Sequence, residues 1–538
     1  MLIPQGMAYA MLAGLPPIYG LYASTVPLIL YALFGTSRQL SVGPGAMVAL
    51  LVASGVGGLA AHGTDEYIQL ALLLALMIGS IQFLMGVFRL GWIVNFLSHP
   101  VIAGFTSAVA IIIALNQLKY LLGISLSRGL FHEVLLEAVS KLSEVHLTTF
   151  LVGFGGILLL VLMKKFTPKL PAPLIIVVLS ILLIWVTGVS SEGVDIVGEI
   201  PSGFPAFSVP TLDFAAMSSL MPIALTVAFI GFMQSIAVAK AIQKRHKSYD
   251  IVPNQEMLAL GISNIFGSMF QAFPVTGGLS RSAVNDQTGA QSGIASIISA
   301  LLVVVTLLFF TPYFYYLPKA ILAAIIMVAI YSLIDIKEAK HLWVTDKTDF
   351  ALFITTALTT LFLGIEEGIG TGVFLSLIMV IYRSSHPHVA ELGQIPDSTH
   401  YRNVKRFDNL IERDDTVILR IDARLYFANL NYIKELIYSK IAEKPGTRYL
   451  ILDASAISGI DSSALHMLNE LQQDLAKSNI SIHFVDVKGP IRDILKKNNL
   501  LINNGQFHYA MTINDAVQRI TEKSESDKNR PYIFESTQ

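Results

Sequence analysis

Cysteine is missing altogether from the 538 residues, which excludes disulfide staples, thiol nucleophiles and cysteine-ligated metals. Charge is scarce as well. Asp, Glu, Lys and Arg supply 14% of the chain, against about a quarter in soluble globular domains. The two signs nearly cancel, leaving a net charge of -1. Without a basic excess, nucleic acid is set aside as a partner. No basic, cleavable signal peptide precedes the first apolar stretch. The apolar part offers no nucleophile beside a base, no metal cluster and no phosphate loop, so an enzyme is the least supported class and no cofactor is expected.

What is present in excess is apolar surface: 53% of residues are hydrophobic. They fill residues 1 to about 385, while the rest is densely charged, so we expect a membrane domain over 1–385 and a water-soluble domain after it. The chain opens at Met1-Leu2-Ile3-Pro4, already hydrophobic, as if entering its first helix part-way along, and we expect a truncated first helix. Segments near 68–88, 98–118, 149–163, 173–188, 220–239, 294–311, 318–334, 349–364 and 370–382 approach the length that crosses a bilayer. Shorter, Gly- and Pro-broken ones at 1–13, 20–34, 43–58, 256–272 and 280–291 bring the count to fourteen. Cytoplasmic ends should hold the Lys and Arg excess. With the first segment running outward, Arg38, Arg89, Lys164, Lys165, Lys169, Lys240, Lys244, Arg245, Lys247, Lys337, Lys340, Lys347 and Arg383 fall inside, and Arg128, Lys141, Glu192 and Lys319 outside. The localisation expected is a bacterial-type inner membrane, with the soluble domain cytoplasmic.

After a polar linker at 386–405, TVILRI, RYLILDA and ISIHFVDV have strand character, and residues 428–442, 462–477, IRDILKKNN and INDAVQRITEK have helical spacing. This predicts a small α/β domain over 406–523, followed by a disordered tail at 524–538.

Two interrupted stretches carry the functional signal. In RQLSVGPGAMVALL a β-like tetrapeptide reaches a Gly-Pro pair and an apolar helix, with Pro44 near the first helical position. FQAFPVTGGLSRSAVNDQTGA repeats the design, with Ser280 as the predicted N-cap of a second short helix. Entered from opposite sides, the two would be inverted-repeat mates whose N-termini face each other at mid-membrane. Helix N-termini attract anions, and discontinuous membrane helices mark transport sites. Arg281 adds a full positive charge at a depth where arginine needs a cavity or a partner. Gln5 and Tyr9, four residues apart, share one helical face at the start of the chain. The small residues around them, Gly6, Ala8, Gly14 and Gly20, serve close helix packing or the site. Asp286 pairs either with Arg281 or with a neighbouring backbone. His99, beside Pro100, and Glu366 and Glu367 are read as helix-end groups.

PQGMAYAMLAGLPPIYGLYAS, FGTSRQLSVGPGA and VTGGLSRSAVNDQTGA together resemble the SulP family of sulfate permeases and related anion transporters. RYLILDASAISGIDSSALHML is similar to the STAS domain that this family carries. The resemblance implies a multi-pass α-helical fold of fourteen segments as a seven-plus-seven inverted repeat, a core moving against a gate, and a homodimer. It also implies a substrate pocket of Gln5, Tyr9, Pro44, Gly45, Ala46, Gly278, Leu279, Ser280 and Arg281. Gln234 stands where many relatives carry a carboxylate. A glutamine neither takes up a proton nor offers Na⁺ a charged ligand, so H⁺ or Na⁺ coupling at that position is in question; hydrogen bonding to substrate and a structural role both remain open. Asp461-Ser462-Ser463 reads as an ordinary helix cap, and by resemblance Ser463 matches a phosphorylated serine of free-standing STAS proteins. The function expected is secondary active transport of a small anion, sulfate foremost, with bicarbonate or dicarboxylate transport, an anion channel, a nucleobase permease and a membrane-bound sensor or scaffold as rivals. The partners expected are the anion, the bilayer, a second copy, and a cytoplasmic protein on the STAS domain.

Overall fold

The computed structural model describes residues 1–91, 98–127, 129–167, 170–187, 193–243, 246, 249–498 and 507–528. Arg128, Lys169, Glu192, Lys244, Arg245 and Lys247, the Glu366 side chain and the chain beyond 528 lie outside them. The chain divides into two compact units, Met1–Leu377 and Ile378–Gln538.

The first unit opens with helices α1 (Leu2–Leu12), α2 (Ile18–Tyr22) and α3 (Val26–Phe34). The span expected over 20–34 is thus two helices. The Ser24 hydroxyl donates to Gly20 O (2.7 Å) and that of Thr25 to Tyr22 O (2.7 Å), and Pro27, lacking an N–H, starts the next turn. Gly6 and Gly20 let α1 and α2 nearly touch: a Cβ on Gly20 would stand 1.9 Å from the Gly6 carbonyl oxygen. Then come strand β1 (Val42–Gly43) and helices α4 (Ala46–Gly57), α5 (Asp65–Val87), α6 (His99–Leu122), α7 (Phe131–Ser140), α8 (Leu147–Phe166) and α9 (Ala172–Thr187). The second half restarts with α10 (Phe214–Gln243) and α11 (Pro253–Met269), strand β2 (Thr276–Gly277) and α12 (Leu279–Gln287). Helices α13 (Ile294–Phe309), α14 (Lys319–Ile330), α15 (Ile336–Thr345), α16 (Lys347–Phe362) and α17 (Ile365–Ser385) complete it.

The order helix, helix, two-residue strand, short helix therefore occurs twice, as the inverted-repeat reading requires. Each of the fourteen expected segments holds a helix; α7 and α15 are additional amphipathic ones, too short and polar to span. Among the described residues, five helices (α5, α6, α8, α10 and, from Glu367, α17) are long and apolar enough to cross a membrane. The most apolar windows of α8 and α17 are only 22% buried, against 67% for α5. In water such exposed apolar faces would be unfavourable; in lipid they need no cover.

The second unit is a six-stranded sheet of β3 (Val389–Gln394), β4 (Tyr401–Asn403), β5 (Thr416–Ile421), β6 (Tyr449–Asp453), β7 (Ser481–Val485) and β8 (Phe507–Ala510). Its spatial order is β4-β3-β5-β6-β7-β8, with β5 to β8 parallel and β3 and β4 antiparallel. Helices α18 (Leu430–Glu443), α19 (Ser462–Lys477) and α20 (Gly489–Lys497) supply the core on one face, and α21 (Ile513–Lys528) that on the other. Two sequence expectations need correcting. The linker at 386–405 contains two strands of this sheet: its apolar residues Ala390 and Leu392 alternate with polar ones and are buried, a pattern hidden by overall polarity. Helix α21 also continues past Ser524 to Lys528, so the helical region outlasts the expected boundary of the tail.

Candidate functional site

The site is built on a four-residue ribbon. β1 and β2 pair antiparallel, Val42 opposite Gly277 and Gly43 opposite Thr276, and Gly278 N–H donates to Ser41 O at 3.0 Å. Helices α4 and α12 leave this ribbon in opposite directions, so both N-termini lie beside it. Neither has a side-chain cap. The N-caps are Gly45 and Gly278; Pro44 stands just before the first of them, near the helix start as expected, and the assignment of Ser280 to the cap is corrected. The cause is Ser282: its N–H (3.0 Å) and its hydroxyl (2.7 Å) both donate to Gly278 O, which starts α12 two residues earlier. Ser280 is exposed on the first turn beside the half-exposed Leu279, whereas Pro44 and Gly45 are buried and Ala46 is half-buried.

Arg281 is 5% exposed. One guanidinium nitrogen, Nη1, donates to Pro44 O at 2.8 Å and so ties one half-helix to the other. Nε and Nη2 are buried without a hydrogen-bond partner. The guanidinium lies against Gly278, where a Cβ would come within 2.6 Å of Cζ and of Nη2. A side chain there would displace the guanidinium, so this glycine matters for space and not for backbone conformation. Asp286 pairs with His246 and does not neutralise Arg281.

From the first helix, Gln5 and Tyr9 are 3% and 5% exposed. Tyr9 is near enough to Arg281 for the two to interact electrostatically, and the Gln5 Oε1 is buried and unpartnered. On α10, Gln234 likewise has a buried, unpartnered Oε1. The next residue, Ser235, holds the ribbon by accepting from Gly277 N–H at 2.8 Å. Unpaired buried polar atoms are uncommon in folded chains; those of Gln5, Gln234 and Arg281 lie on the elements around the ribbon, while others, among them His62, Gln117 and Thr356, lie elsewhere. Among the described residues no group of three or more His, Asp or Glu stands ready for a metal ion.

Sequence reasoning missed the frame that holds the ribbon. Asn264 on α11 accepts from Val275 N–H (2.9 Å), donates to Val275 O (3.2 Å) and to Gln82 Oε1 (3.1 Å). Gln82 in turn donates to Ala228 O at 3.0 Å, and the Thr276 hydroxyl to Gly231 O at 2.8 Å. Glu256, fully buried at the start of α11, accepts from the Tyr31 and Thr36 hydroxyls and the Thr36 N–H, each at 2.7 Å. The available signal was a polar residue inside an apolar run, as in SIQFL and ISNIF.

In the second unit, Asp461 caps α19 by accepting from Ala464 N–H at 2.8 Å, and Ser463 is exposed on the first turn. His99 is paired with Glu338 at 3.3 Å.

Residues 1–356 match the sulfate permease family and residues 409–516 the STAS domain. The chain is 39% identical to Arabidopsis thaliana sulfate transporter 4.1, chloroplastic, over 96% of its own length and 78% of that protein. It is 32% identical to a probable sulfate transporter of Mycobacterium tuberculosis, over 96% and 92%. Its fold superposes on the murine Solute Carrier 26 family member A9 anion transporter in the inward-facing state with a TM-score of 0.87 at 26% identity, covering 97% of this chain and 89% of that one. The transmembrane domain of the cyanobacterial bicarbonate transporter BicA shares the fold over 70% of this chain and 93% of its own, with a TM-score of 0.60 at 22% identity. With two half-helices lacking side-chain caps held N-terminus to N-terminus in an apolar unit, and a STAS domain following it in the chain, the chain belongs to the sulfate permease family.

Proposed function

We propose that this protein is a secondary carrier of small oxyanions, sulfate foremost, working by alternating access. The reading rests on Arg281, buried between two positive helix ends with one donor spent on Pro44 and two donors left over. Each buried donor without a partner costs about 1–3 kcal/mol, more when charged, and an anion relieves both at once. Nε and Nη2 form one edge of the guanidinium, a fork whose two N–H groups match two oxygens of an oxyanion. Backbone N–H groups from Ala46 on one side and from Leu279 and Ser280 on the other add neutral donors, with Pro44, Gly45 and Gly278 forming the floor. Gln5, Tyr9 and Gln234 contribute side chains that fix orientation. No covalent bond is made or broken; the anion changes sides as the repeat core moves past its surroundings.

Gln234 carries no ionisable proton, so transport is not driven by H⁺ through that position, and Na⁺ would find there only a neutral oxygen. The charge distribution supports a plasma-membrane orientation with the STAS unit in the cytoplasm, and membership of this family supports a homodimer. Ser463, exposed at a helix N-terminus that tolerates added negative charge, is the regulatory phosphorylation site in this reading, and the STAS surface around it docks a cytoplasmic partner.

The test is uptake of labelled sulfate, bicarbonate and fumarate by reconstituted protein, with and without pH and Na⁺ gradients. We expect saturable sulfate uptake that Arg281→Ala abolishes. Arg281→Lys keeps the charge and loses the fork, and should reduce sulfate uptake roughly tenfold or more, the equivalent of one charged hydrogen bond at about 1.5–3 kcal/mol. Folded protein that moves none of the three anions, or an Arg281→Ala variant that transports normally, would overturn the reading.

A further inference from the structure

Helix α15 has no part in the anion site, and its two faces are built for different surroundings. One face is fixed to protein: Leu342 and Ala339 pack with Ala103, Phe350, Phe353 and Ile354. Glu338 is held by His99 at 3.3 Å, and the Ser107 hydroxyl accepts from the backbone N–H of Asp335 at 3.1 Å. The opposite face carries Ile336 and Val344, which are 62% and 85% exposed, and Trp343, 59% exposed, stands at the border of the two faces with its ring edge-on to Phe350 at 4.9 Å. Lys337 and Lys340 are exposed on the same arc, interleaved with these apolar residues at helical spacing, and form no ion pair among the described residues.

The acids of this stretch are turned to other uses. Asp335 caps α15, accepting from Glu338 N–H at 2.9 Å, and Asp346 caps α16, accepting from Thr348 N–H at 2.8 Å. Charge is thereby sorted: carboxylates serve helix ends and His99, and ammonium groups face outward. A rigid, short helix with Trp, Ile and Val beside free lysines, set between the apolar helices α14 and α16, has the composition of an in-plane interfacial helix. Its apolar residues suit the acyl boundary, and the lysine stems can lie along them with the charges at headgroup depth.

We propose that the outer face of α15 is a docking site for anionic phospholipid, with Lys337 and Lys340 on the headgroup phosphate and Trp343 against the acyl chain. Lysine near an anionic leaflet favours such lipids several-fold per residue. The site recruits lipid of one charge class to the flank of the α14–α16 segment and is independent of which anion the protein carries.

Trp343 is itself the probe, because the chain has only 3 tryptophans. Trp92→Phe and Trp185→Phe in the full-length chain leave its fluorescence alone. The protein is reconstituted in mixed phosphatidylglycerol and phosphatidylcholine vesicles, with bromine on the acyl chains of one or the other at equal mole fraction. Brominated phosphatidylglycerol should quench Trp343 several-fold more strongly than brominated phosphatidylcholine. Lys337→Gln with Lys340→Gln should equalise the two, and Lys337→Arg with Lys340→Arg should keep the preference. If the glutamine variant fails to fold, a salt titration of the parent serves instead, the preference falling as ionic strength rises. No quenching by either lipid would mean that water or protein, including a second copy, covers this face. Equal quenching by both lipids, or a preference untouched by the glutamine changes and by salt, would also overturn the proposal.

Discussion

In the carrier proposed above, Gln234 is the side chain that bears most directly on how the site could be powered. Its amide shares the neighbourhood of Ser235 and the ribbon and has a buried oxygen with no partner, but it cannot gain or lose a proton. Gln234→Glu restores a titratable group there. Once ionised, the new carboxylate competes with the substrate for the positive site; protonated, it resembles the amide it replaces. Uptake by the variant should therefore rise as pH falls and respond to an inward proton gradient, whereas the parent should respond weakly; a pH profile of labelled sulfate uptake in both proteins checks this. At this scale much was legible in the sequence, since Arg281, Gln5 and Tyr9 stood out as polar groups in apolar helices. The Gly278 cap was not: its carbonyl, accepting twice from Ser282, starts the helix two residues before a cap at Ser280 would, and the first-turn N–H groups have no side-chain cap. Asn264 and Gln82 went unremarked because each looks like an isolated amide until the fold brings them within 3.1 Å of one another.

At the scale of elements, the ribbon is too short to hold itself, with two residues in each strand. Asn264 supplies what a longer sheet would. Asn264→Ala should strand the Val275 N–H and carbonyl and the Gln82 oxygen, each at about 1–3 kcal/mol. The expected outcome is a lower Tm and uptake falling to near background while the protein remains assembled and helical, followed by thermal unfolding beside the transport assay.

Helix α7 offers a pH test away from the bilayer spans. Hydrogen bonding from Lys141, then from the Ser127 hydroxyl and N–H, lowers the Glu137 carboxyl from its ordinary value of 4.5 to about 2. A depressed carboxylate stabilises the fold above its unfolded pKa, and that contribution is lost as pH falls through the folded one. Protection of the Ser127 amide, whose N–H donates to Glu137 at 2.9 Å, should thus hold at pH 5 and above and disappear toward about pH 2. Hydrogen exchange corrected for intrinsic rates should show this, and Glu137→Gln should weaken the protection at neutral pH. Helix α7 itself escaped the sequence reading because its alternation of Leu, Val and Glu looks like a loop between two stronger apolar runs.

For the whole molecule, the division into an apolar and a charged unit was readable from composition, and so was the internal repeat, because Gly-Pro and Gly-Gly breaks interrupt helices at matching places. The edge of the sheet was less so: β3 and β4 precede the parallel strands and look like linker when taken alone. The ribbon that joins the two repeats also bears on how the protein is made. Arg281 and Pro44 are 237 positions apart, and among the described residues β1 has its only strand partner in β2. Closing so long a loop is entropically costly and kinetically slow. A nascent chain that has not yet reached residue 277 holds α4 with its N-terminus uncapped and β1 with its ribbon-facing backbone groups unpaired, in surroundings where such groups have little water to turn to. Completion of the ribbon, and of the anion site proposed on it, therefore waits until the second repeat arrives to pair with the first.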